Sequence, residues 1–361
     1  MTLQAARERL LPPVEAALQG ILDRHSPAGG GRLPAHAPEP EAHPRPNAPG
    51  HYGMMRYHLG WLDEQLEPIE APTGKRLRPL LCLLAVEACG GRASSAVPAG
   101  VALELLHNFT LIHDDVEDGD ALRHHRPTVW KLWGEPQAIN AGDGMHVLAN
   151  LTLLHLADEG HSAELVLRLA RRLAETSLII TEGQHLDMAF ERRDDVAPSE
   201  YLDMIGRKSA ALIACATEMG AALAGANAAI QEALAGFGHE LGMAFQIRDD
   251  VLGIWGDPGT TGKPAGDLRR RKKTLPSLHA LSRADEEGQH LIRRLFDSDE
   301  PNDSLVAAAV DALDQVGARS HCEKMIGRYS AAARMQLTTL PTSDARAALE
   351  ELVAQLETRD K

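Results

Sequence analysis

Long apolar blocks, broken by Gly, Pro and Asp, are the feature of this sequence that most restricts its fold. The blocks are longer than typical strands and have the residue spacing of amphipathic or wholly buried helices. Aromatic residues make up 4% of the chain, and no clear run of alternating Val, Ile and Thr is present, which argues against strands. The sequence therefore predicts an all-α fold, with helices in "RPLLCLLAVEACGG", "VALELLHNFTLIHDD", "AELVLRLARRLAETSLIITEGQHLDM", "YLDMIGRKSAALIACATEMGAALAG", "IQEALAGFGHELGMAFQIRDDVLGIW" and "LVAAAVDALDQVGA".

Residues 26–50 differ in composition from the rest of the chain, because Pro, Gly and Ala dominate them. Such a segment cannot build a hydrophobic core and is expected to be extended or flexible. We therefore divide the chain into an N-terminal helix with a Pro/Gly-rich flexible extension, residues 1–50, and a main folded domain, residues 51–361.

The charge and the cysteine content exclude several classes of protein. A formal net charge of −14 repels phosphate backbones, so we expect no nucleic-acid partner. Four cysteines without a C-x-x-C pair suit a reduced cytoplasmic protein better than a disulfide scaffold. The N-terminus lacks the apolar core of a secretory signal, and Glu87 and Glu218 interrupt the most apolar stretches. We therefore expect a cytoplasmic location and no transmembrane helix.

The stretch "LHNFTLIHDDVEDGD", residues 106–120, predicts a buried helix that ends in a cluster of acids. On a helix, His107, Asp114 and Asp118 lie on one face, and Asp115 precedes Asp118 by three residues. The end of a helix is where negative charge is least favourable, because the helix dipole already places negative charge there. The cluster therefore requires a stabilising partner.

A second acid pair occurs in "MAFQIRDDVLGIWGDPG", where Gln246, Asp249 and Asp250 share one side of a helix that must end near Gly256 and Pro258. Both clusters lie towards helix C-termini, and a bound cation would neutralise the mutual repulsion of their carboxylates. The ligands are hard oxygens without an interleaved His or Cys pattern, so Mg2+ is expected rather than Zn2+. A solvated acidic helix end is the alternative, and the presence of two clusters argues against it.

Mg2+ bound by one or two carboxylates usually keeps its other positions for water and substrate phosphate. Short turns between the predicted helices offer cations, where Arg can bind a diphosphate through its fork and Lys as a point charge. Any one such segment, taken alone, is more often a solvated surface charge. The segments are "TGKRLRP" (residues 73–79), "RHHRPTVW" (123–130), "GRKSA" (206–210) and "TTGKPAGDLRRRKKTLP" (260–276).

Eight motifs occur in a characteristic order: "GKRLRP", "HNFTLIHDDVED", "RPTVW", "AGDG", "GQHLDM", "GRKSA", "FQIRDD" and "GDPGTTGKPAGDLRRRKKTLP". In this order they resemble the trans-type polyprenyl (isoprenyl) diphosphate synthase family, from about Tyr52 to the C-terminal region. The resemblance implies an orthogonal all-α bundle around a deep central cavity, usually assembled as a homodimer. Residues 51–361 would then be the catalytic domain.

The activity that the resemblance implies is a Mg2+-dependent prenyl transfer. An allylic diphosphate condenses with isopentenyl diphosphate to give a medium-chain, all-trans prenyl diphosphate. Mg2+ and cationic side chains neutralise the leaving diphosphate, and the double bond of isopentenyl diphosphate attacks the allylic carbocation. A water-poor apolar cavity would protect that carbocation from water.

The resemblance also implies roles for individual residues. The aspartate-rich motifs correspond to Asp114, Asp115 and Asp118, and to Asp249 and Asp250. Of these, the expected Mg2+ ligands are Asp114, Asp118 and Asp249. The positions that bind isopentenyl diphosphate correspond to Lys75, Arg78 and His107. Those that face the allylic diphosphate correspond to Arg123, Lys208, Gln246 and Lys263, of which Lys208 and Lys263 are counted as catalytic with the aspartates.

Two residues depart from the family pattern. Gly253 stands where the second motif usually ends in a third Asp, so one outer carboxylate is missing and weaker metal binding is expected. His124 replaces the Arg that normally binds isopentenyl diphosphate. A His at this position is mostly neutral near pH 7 unless a phosphate raises its pKa, so the second substrate would be held less firmly.

Two other functions compete with the synthase. A class I terpene cyclase ionises a diphosphate by the same metal chemistry but needs no isopentenyl diphosphate, and His124 favours this alternative. Lys75, Arg78 and His107 oppose it, because a cyclase has no use for a second diphosphate site. A non-catalytic partner subunit is the third possibility, but such a protein would be expected to lose an aspartate pair, and both pairs are present.

Product length is expected to depend on the residues just before the first acid cluster. Thr110 lies about 6 Å from Asp114 along the helix and on the same face, and it is small enough for a growing chain to pass. Phe109 points to the side and is bulky enough to narrow the cavity, unless it merely packs against a neighbouring helix. A bulky residue followed by a small one resembles the medium-chain synthases, so geranylgeranyl diphosphate is expected, with farnesyl diphosphate next.

Overall fold

The computed structural model describes residues 2–26, 50–69, 74–256, 265–298 and 300–358. Most of these residues are helical and very few lie in strands, which confirms the all-α fold class. They fall into two compact units. The unit made of residues 4–174 is here called the N-terminal unit, and the unit made of residues 1–3 and 175–361 is called the C-terminal unit.

The N-terminal unit is built around the buried helix α4. Its helices are α1 (Leu3–His25), α2 (His51–His58), α3 (Leu77–Ala88), α4 (Val97–Glu117), α5 (Val129–Trp133) and α6 (Glu135–Leu154), and α7 (Ala163–Glu191) begins in this unit and continues into the other. α4 packs against α3 and α6. Pro98 lies in the first turn of α4, where a missing backbone N–H needs no partner.

The N-terminal helix α1 lies in the same compact unit as α2 to α6. Its buried residues include Ala6, Val14, Leu18 and Leu22, which recur with helical spacing and form one apolar face. The Pro/Gly-rich residues 27–49 lie outside the described residues, so the division at residue 50 stays a prediction.

Two glycines on α6 allow this helix to approach its neighbours closely. A Cβ atom at Gly142 would collide with the imidazole of His113 on α4. A Cβ atom at Gly144 would collide with His51 and Met55 on α2. Substitution at Gly142 would therefore disturb the packing of α6 against α4, which carries the first acid cluster, and substitution at Gly144 would disturb its packing against α2.

A short antiparallel ribbon follows the acidic end of α4, although the sequence argued against strands. β1 (Leu122–Arg123) pairs with β2 (Arg126–Pro127), and His124 and His125 form the turn. Both turn residues have positive φ angles, +50° and +63°, as a two-residue hairpin of the type I′ class requires. This conformation is unusual for residues other than Gly, but His adopts it more readily than most.

The C-terminal unit surrounds the long helix α10. Its elements after α7 are α8 (Pro198–Ile205), a π-helical turn (Gly206–Ala210), α9 (Ala211–Leu223), α10 (Ala228–Trp255), α11 (Gly266–Arg269), α12 (Leu275–Arg283), α13 (Glu286–Asp297), α14 (Asp303–Gln315), α15 (Ala318–Leu337) and α16 (Asp344–Thr358). α10 packs against α9 and α15. The side chain of Asn227 begins α10 by accepting a hydrogen bond of 3.0 Å from the backbone N–H of Ile230.

The six predicted helical stretches are helical, with one difference. The stretch from residue 201 to residue 225 is divided into α8, the π-helical turn and α9. The sequence analysis did not predict the long helices α6, α13, α15 and α16, or the shorter helices α2, α5, α11 and α12. In α6 the apolar residues are spread around the helix instead of lying on one face, so the periodicity that predicts helices is absent.

One stretch, Ala93–Glu117, is long and apolar enough to cross a membrane by length and composition alone. It is not one of the two apolar stretches, interrupted by Glu87 and Glu218, that the sequence analysis considered as membrane spans. In its most apolar window, 67% of the residues are buried inside the protein. The core helix of a globular domain has the same properties, so this stretch is weak evidence for a membrane span.

Candidate active site

The acidic end of α4 contains one buried carboxylate and two that are half-buried. Asp115 is 2% exposed, and Arg123 on β1 donates to its Oδ1 from Nε at 2.8 Å and from Nη2 at 2.7 Å. Burial raises the pKa of Asp115, and the Arg123 guanidinium opposes that rise. Asp114 and Asp118 are half-buried. Asp115 therefore anchors the ribbon to α4, and Asp114 and Asp118 are better placed to bind a metal ion.

A group of guanidinium and imidazole side chains surrounds His107 on α4. Burial, and then the charges of Arg78 and Arg123, lower the pKa of His107 well below its ordinary value. His58 at the end of α2 belongs to the same group, and burial, followed by the charge of Arg123, lowers its pKa to about 3. We call His58, Arg78, His107 and Arg123 the cationic cluster. Two guanidinium groups with two neutral imidazoles suit an anion that has several oxygens.

Two predicted binding residues lie next to the cationic cluster in the chain. Lys75 is exposed just before α3. His124 occupies the turn between β1 and β2. Partial burial, and then the charge of Arg123, lower the pKa of His124, so its imidazole is neutral near pH 7. The expectation that His124 binds isopentenyl diphosphate less firmly than an Arg would stays a prediction.

The second acid pair repeats this division between a buried and a half-buried carboxylate. Asp250 on α10 is 2% exposed, and Asp249 is half-buried. Asp250 accepts hydrogen bonds from the Tyr201 hydroxyl at 2.7 Å, the Gln246 amide at 3.2 Å and the Leu275 backbone N–H at 3.3 Å. Burial raises the pKa of Asp250 to about 8. Asp250 therefore connects α8, α10 and α12, and Asp249 is the more accessible of the two.

Gln246 links the second acid pair to the π-helical turn. Its Oε1 accepts a hydrogen bond of 2.7 Å from the hydroxyl of Ser209, and its Nε2 donates to Asp250. Both ends of the amide are thus engaged within the protein. Gln246 fixes the position of the turn relative to α10, in addition to any contact with a substrate.

Lys208 lies in the π-helical turn and donates from Nζ to Asp187 Oδ2 on α7 at 2.5 Å. The turn approaches α7 closely, because a Cβ atom at Gly183 would collide with the backbone of Lys208. π-Helical turns often occur at functional sites. The other predicted lysine, Lys263, lies outside the described residues.

The space beside Gly253 is filled by a carboxylate from another helix. A Cβ atom at Gly253 would collide with the side-chain oxygens of Asp267 on α11. Arg270 donates to Asp267 Oδ1 at 2.9 Å. The third carboxylate that the second motif lacks in sequence is therefore replaced in space by that of Asp267.

The two predicted chain-length residues have different surroundings. Phe109 is 8% exposed, and its ring lies 4.8 Å from that of His113 and 4.9 Å from that of His146 on α6. Thr110 is half-buried, and its hydroxyl donates to the carbonyl of His107 at 2.8 Å. Phe109 thus packs against α6, and its role in product length stays a prediction.

The carboxylates near the ends of α4 and α10 fit Mg2+ by their chemistry, since they offer hard oxygens. Asp115 Oδ2 is buried and accepts no hydrogen bond from the described residues. Across the same described residues, no three His, Cys, Asp or Glu side chains converge as a group that could hold a metal ion by themselves. Each acid pair therefore suits Mg2+ bound by one or two carboxylates, with substrate oxygens completing the coordination.

Three residues near the predicted site residues of the two units were missed by the sequence analysis. His58 has no local pattern that distinguishes it from other histidines. Asp187 lies within the motif "GQHLDM", and Asp267 lies within "GKPAGDLRRRKK". The motifs were noted, but only the structure shows that Asp187 pairs with Lys208 and that Asp267 covers Gly253.

Comparison with known proteins places these features in a family. Residues 60–313 match the sequence model of the family described as Polyprenyl synthetase. The chain is 44% identical over 270 residues to the (2E,6E)-farnesyl diphosphate synthase of Mycobacterium bovis, covering 74% of each chain. It is 46% identical over 239 residues to the geranylgeranyl diphosphate synthase of Mycobacterium tuberculosis, covering 66% of this chain and 67% of the relative.

The fold agrees with the sequence comparison. The crystal structure of polyprenyl synthetase from Streptomyces coelicolor A3(2) superposes with a TM-score of 0.85 at 35% identity, covering 98% of this chain and 99% of the other. An all-α enzyme with two acid-bearing helices and a cationic cluster is the class that the fold and the site define. The chain belongs to the polyprenyl synthetase family.

Proposed function

We propose that this protein is a prenyltransferase that condenses isopentenyl diphosphate with an allylic diphosphate to give a medium-chain, all-trans prenyl diphosphate. One observation carries the proposal: the cationic cluster adjoins the acidic end of α4, because Arg123 belongs to the cluster and contacts Asp115. A ligand that combines anionic oxygens with a divalent cation would satisfy both groups of side chains. A diphosphate with bound Mg2+ is such a ligand.

The residues proposed to hold Mg2+ are Asp114 and Asp118 on α4 and Asp249 on α10. When bound, Mg2+ would supply positive charge that stabilises the leaving diphosphate. The protein's contribution is to place the carboxylates. The contact of Arg123 with Asp115 supports the end of α4, and the contact of Tyr201 with Asp250 supports the end of α10.

The cationic side chains are proposed to bind the two diphosphates. Lys75, Arg78 and His107, with His124, would bind isopentenyl diphosphate, and Arg123, Lys208, Gln246 and Lys263 would bind the allylic diphosphate. A guanidinium has five N–H donors, so Arg123 can contact Asp115 and a phosphate at the same time. These cations favour cleavage of the allylic C–O bond, because negative charge develops on the leaving diphosphate. The double bond of isopentenyl diphosphate then attacks the allylic carbon, and a proton is lost.

Product length is the finer part of the proposal. The two mycobacterial relatives have different products in their names, so family membership alone does not decide it. We favour geranylgeranyl diphosphate, with farnesyl diphosphate next, because bulky Phe109 is followed by the small Thr110 directly before the first acid cluster.

Assembly as a homodimer is also proposed, and an apolar stripe on α6 supports it. The stripe consists of Ile139, Val147, Leu151 and Leu154, whose exposed fractions are 44%, 56%, 41% and 50%. A second copy of the chain would remove this surface from water. Sedimentation of the purified protein would measure the assembly. A cytoplasmic location is proposed because the four cysteines form no disulfide.

One incubation tests the proposed function. Purified protein is incubated with Mg2+, labelled isopentenyl diphosphate and each allylic primer, and the products are identified after dephosphorylation. Chelation of Mg2+ is expected to abolish product formation. Asp114→Ala is expected to reduce turnover by about two orders of magnitude or more, since it removes a metal ligand. Glu159→Ala, which changes an exposed acid in the turn before α7, is the matched control and should keep full activity.

The same incubation separates the alternatives. A class I terpene cyclase would consume the allylic diphosphate whether or not isopentenyl diphosphate is present. A non-catalytic partner subunit would form no product with any primer. Incorporation of label from isopentenyl diphosphate into a longer chain is expected only for the synthase.

A further inference from the structure

Arg76 has an unusual backbone conformation at a position that matters for substrate binding. It precedes α3 with φ +47° and ψ +42°, the left-handed region that residues other than Gly rarely adopt. Its neighbours Lys75 and Arg78 are proposed to bind isopentenyl diphosphate. Arg76 itself is 6% exposed, so its side chain points into the protein. The positions of the Lys75 and Arg78 side chains therefore depend on the backbone conformation of Arg76.

Two glutamates hold the Arg76 side chain. Its Nη1 donates to Glu104 Oε1 on α4 at 2.8 Å. Its Nε donates to Glu15 Oε2 on α1 at 3.1 Å, and its Nη2 lies 3.4 Å from Glu15 Oε1. Trp61 also donates to Glu15 Oε1, at 2.6 Å. The guanidinium charge is thus matched by carboxylates from two helices, so its primary role is to bind protein and not phosphate.

The same network reaches the cationic cluster. The side-chain amide of Asn108 donates to Glu104 Oε1 at 3.0 Å and to the Glu104 carbonyl at 2.8 Å. The side chain of Asn108 also acts on His58, whose pKa it raises against the larger, opposite effect of burial. Hydrogen bonds therefore run from Glu15 on α1, through Arg76 and Glu104, to Asn108. All of these residues lie in the N-terminal unit.

We propose that Glu15 is a positioning residue for the site that binds isopentenyl diphosphate, acting through Arg76. This inference rests on the proposed function. Residues in the left-handed region persist only when their surroundings hold them there. Without Glu15, Arg76 loses the partner of its Nε and can relax towards an ordinary conformation. Lys75 and Arg78 would then change their spacing, and two cations that must contact one diphosphate would no longer do so together.

Glu15→Ala is the test variant, and Glu8→Ala is its matched control. Glu8 lies two helical turns earlier on α1 and is exposed, where its carboxylate accepts from Gln4 at 2.7 Å. Binding of isopentenyl diphosphate is measured by calorimetry, and the KM of each substrate and kcat by steady-state kinetics. Glu15→Ala is expected to weaken binding of isopentenyl diphosphate by about tenfold, as the loss of a part-buried hydrogen bond between charged groups does. The KM of the allylic substrate should hardly change, and Glu8→Ala should match the parent.

A double variant tests whether Glu15 acts through Arg76. If it does, Glu15→Ala combined with Arg76→Met should bind isopentenyl diphosphate no more weakly than Arg76→Met alone. Additive effects of the two substitutions would overturn the inference. If Glu15→Ala does not fold, Glu15→Gln, which keeps the shape and removes the charge, is measured in the same way.

The outcomes also separate this inference from the proposed function. A variant that loses thermal stability but binds isopentenyl diphosphate like the parent would show a structural role only and would overturn the inference alone. If Glu15→Ala weakened the binding of both substrates equally, that result would also overturn the inference alone. A parent protein that binds no isopentenyl diphosphate would overturn the inference together with the proposed function.

Discussion

The hydroxyl of Tyr201 donates a hydrogen bond of 2.7 Å to Oδ2 of Asp250, and both groups are buried. Tyr201 lies on α8 and Asp250 on α10, so this bond connects two helices within the C-terminal unit. The neighbouring Asp249 is half-buried. Two adjacent acids of one motif thus have different surroundings, and their substitution should have different consequences.

Asp250→Ala is expected to lower the free energy of unfolding by about 3 kcal/mol, because it leaves two buried donors and one half-buried donor without an acceptor. Asp249→Ala should keep the stability of the parent and lower turnover by about two orders of magnitude or more. Denaturant unfolding followed by circular dichroism, together with the prenyl transfer assay, measures both effects. Equal losses of stability in the two variants would contradict this division.

Gly253→Ala is expected to destabilise the protein by about 1–3 kcal/mol, because the new methyl group would collide with the Asp267 carboxylate. Gly327→Ala on α15 is the matched control, since nothing lies within 4 Å of a Cβ atom there. That control should be neutral or stabilising by up to about 1 kcal/mol. Thermal unfolding of both variants checks the prediction.

Gly253→Asp restores the usual family residue but is not expected to tighten Mg2+ binding. The new carboxylate would have to displace Asp267, which already fills the space. The Mg2+ concentration for half-maximal activity is the quantity to measure. A clear decrease in that concentration would show that the missing third Asp does weaken metal binding.

His124→Arg is expected to lower the KM for isopentenyl diphosphate about severalfold and to leave that for the allylic primer nearly unchanged. The reason is that His124 is neutral near pH 7, whereas Arg carries a permanent charge. His125→Arg is the matched control, because it changes the adjacent residue of the same turn. Equal effects on both substrates would show that position 124 serves another purpose.

Phe109→Ala is expected to lengthen the product, and Thr110→Phe to shorten it. The first removes a ring packed between His113 and His146, and the second places a ring on the face that carries Asp114. Chromatography of the dephosphorylated products gives the chain lengths. Unchanged products from both variants, with Phe109→Ala losing only stability, would leave Phe109 as a packing residue.

Stability is expected to fall as the pH drops below about 6.5, and a histidine pair on α12 and α15 contributes to this fall alongside His58 and His107. The rings of His279 and His321 stack at 3.9 Å, and burial, followed by neighbouring charges that include Arg283, lowers the pKa of both. Below the ordinary His pKa of 6.5, the unfolded chain binds more protons than the folded one, so unfolding is favoured. Their stabilising contribution is therefore present above that pH and lost below it.

The dependence of the unfolding temperature on pH, between about 7.5 and 5.5, tests the histidine pair. His321→Gln should make this dependence less steep, because it removes one of the histidines that take up protons on unfolding. His290→Gln, at an exposed position on α13, is the control and should leave the slope unchanged.

Local patterns in the sequence determined the all-α class and the position of both acid clusters. Helix formation depends on contacts three and four residues apart, so the apolar spacing before Asp114 and before Asp249 was sufficient to predict α4 and α10. The order of the motifs was sufficient to indicate the family. By contrast, α6 was not predicted, because its apolar residues do not lie on one face.

Only the tertiary structure decided which acid of each pair is buried. Asp115 and Asp250 are distinguished from Asp114 and Asp249 by their partners, and the partner of Asp250, Tyr201, lies 49 residues away in sequence. The tertiary structure also decided that the Asp267 carboxylate fills the space beside Gly253. It likewise brought Glu15 to Arg76, from which it is separated by 61 residues in sequence. Burial and hydrogen bonding depend on which distant segments meet in space, and no periodicity along a single segment contains that information.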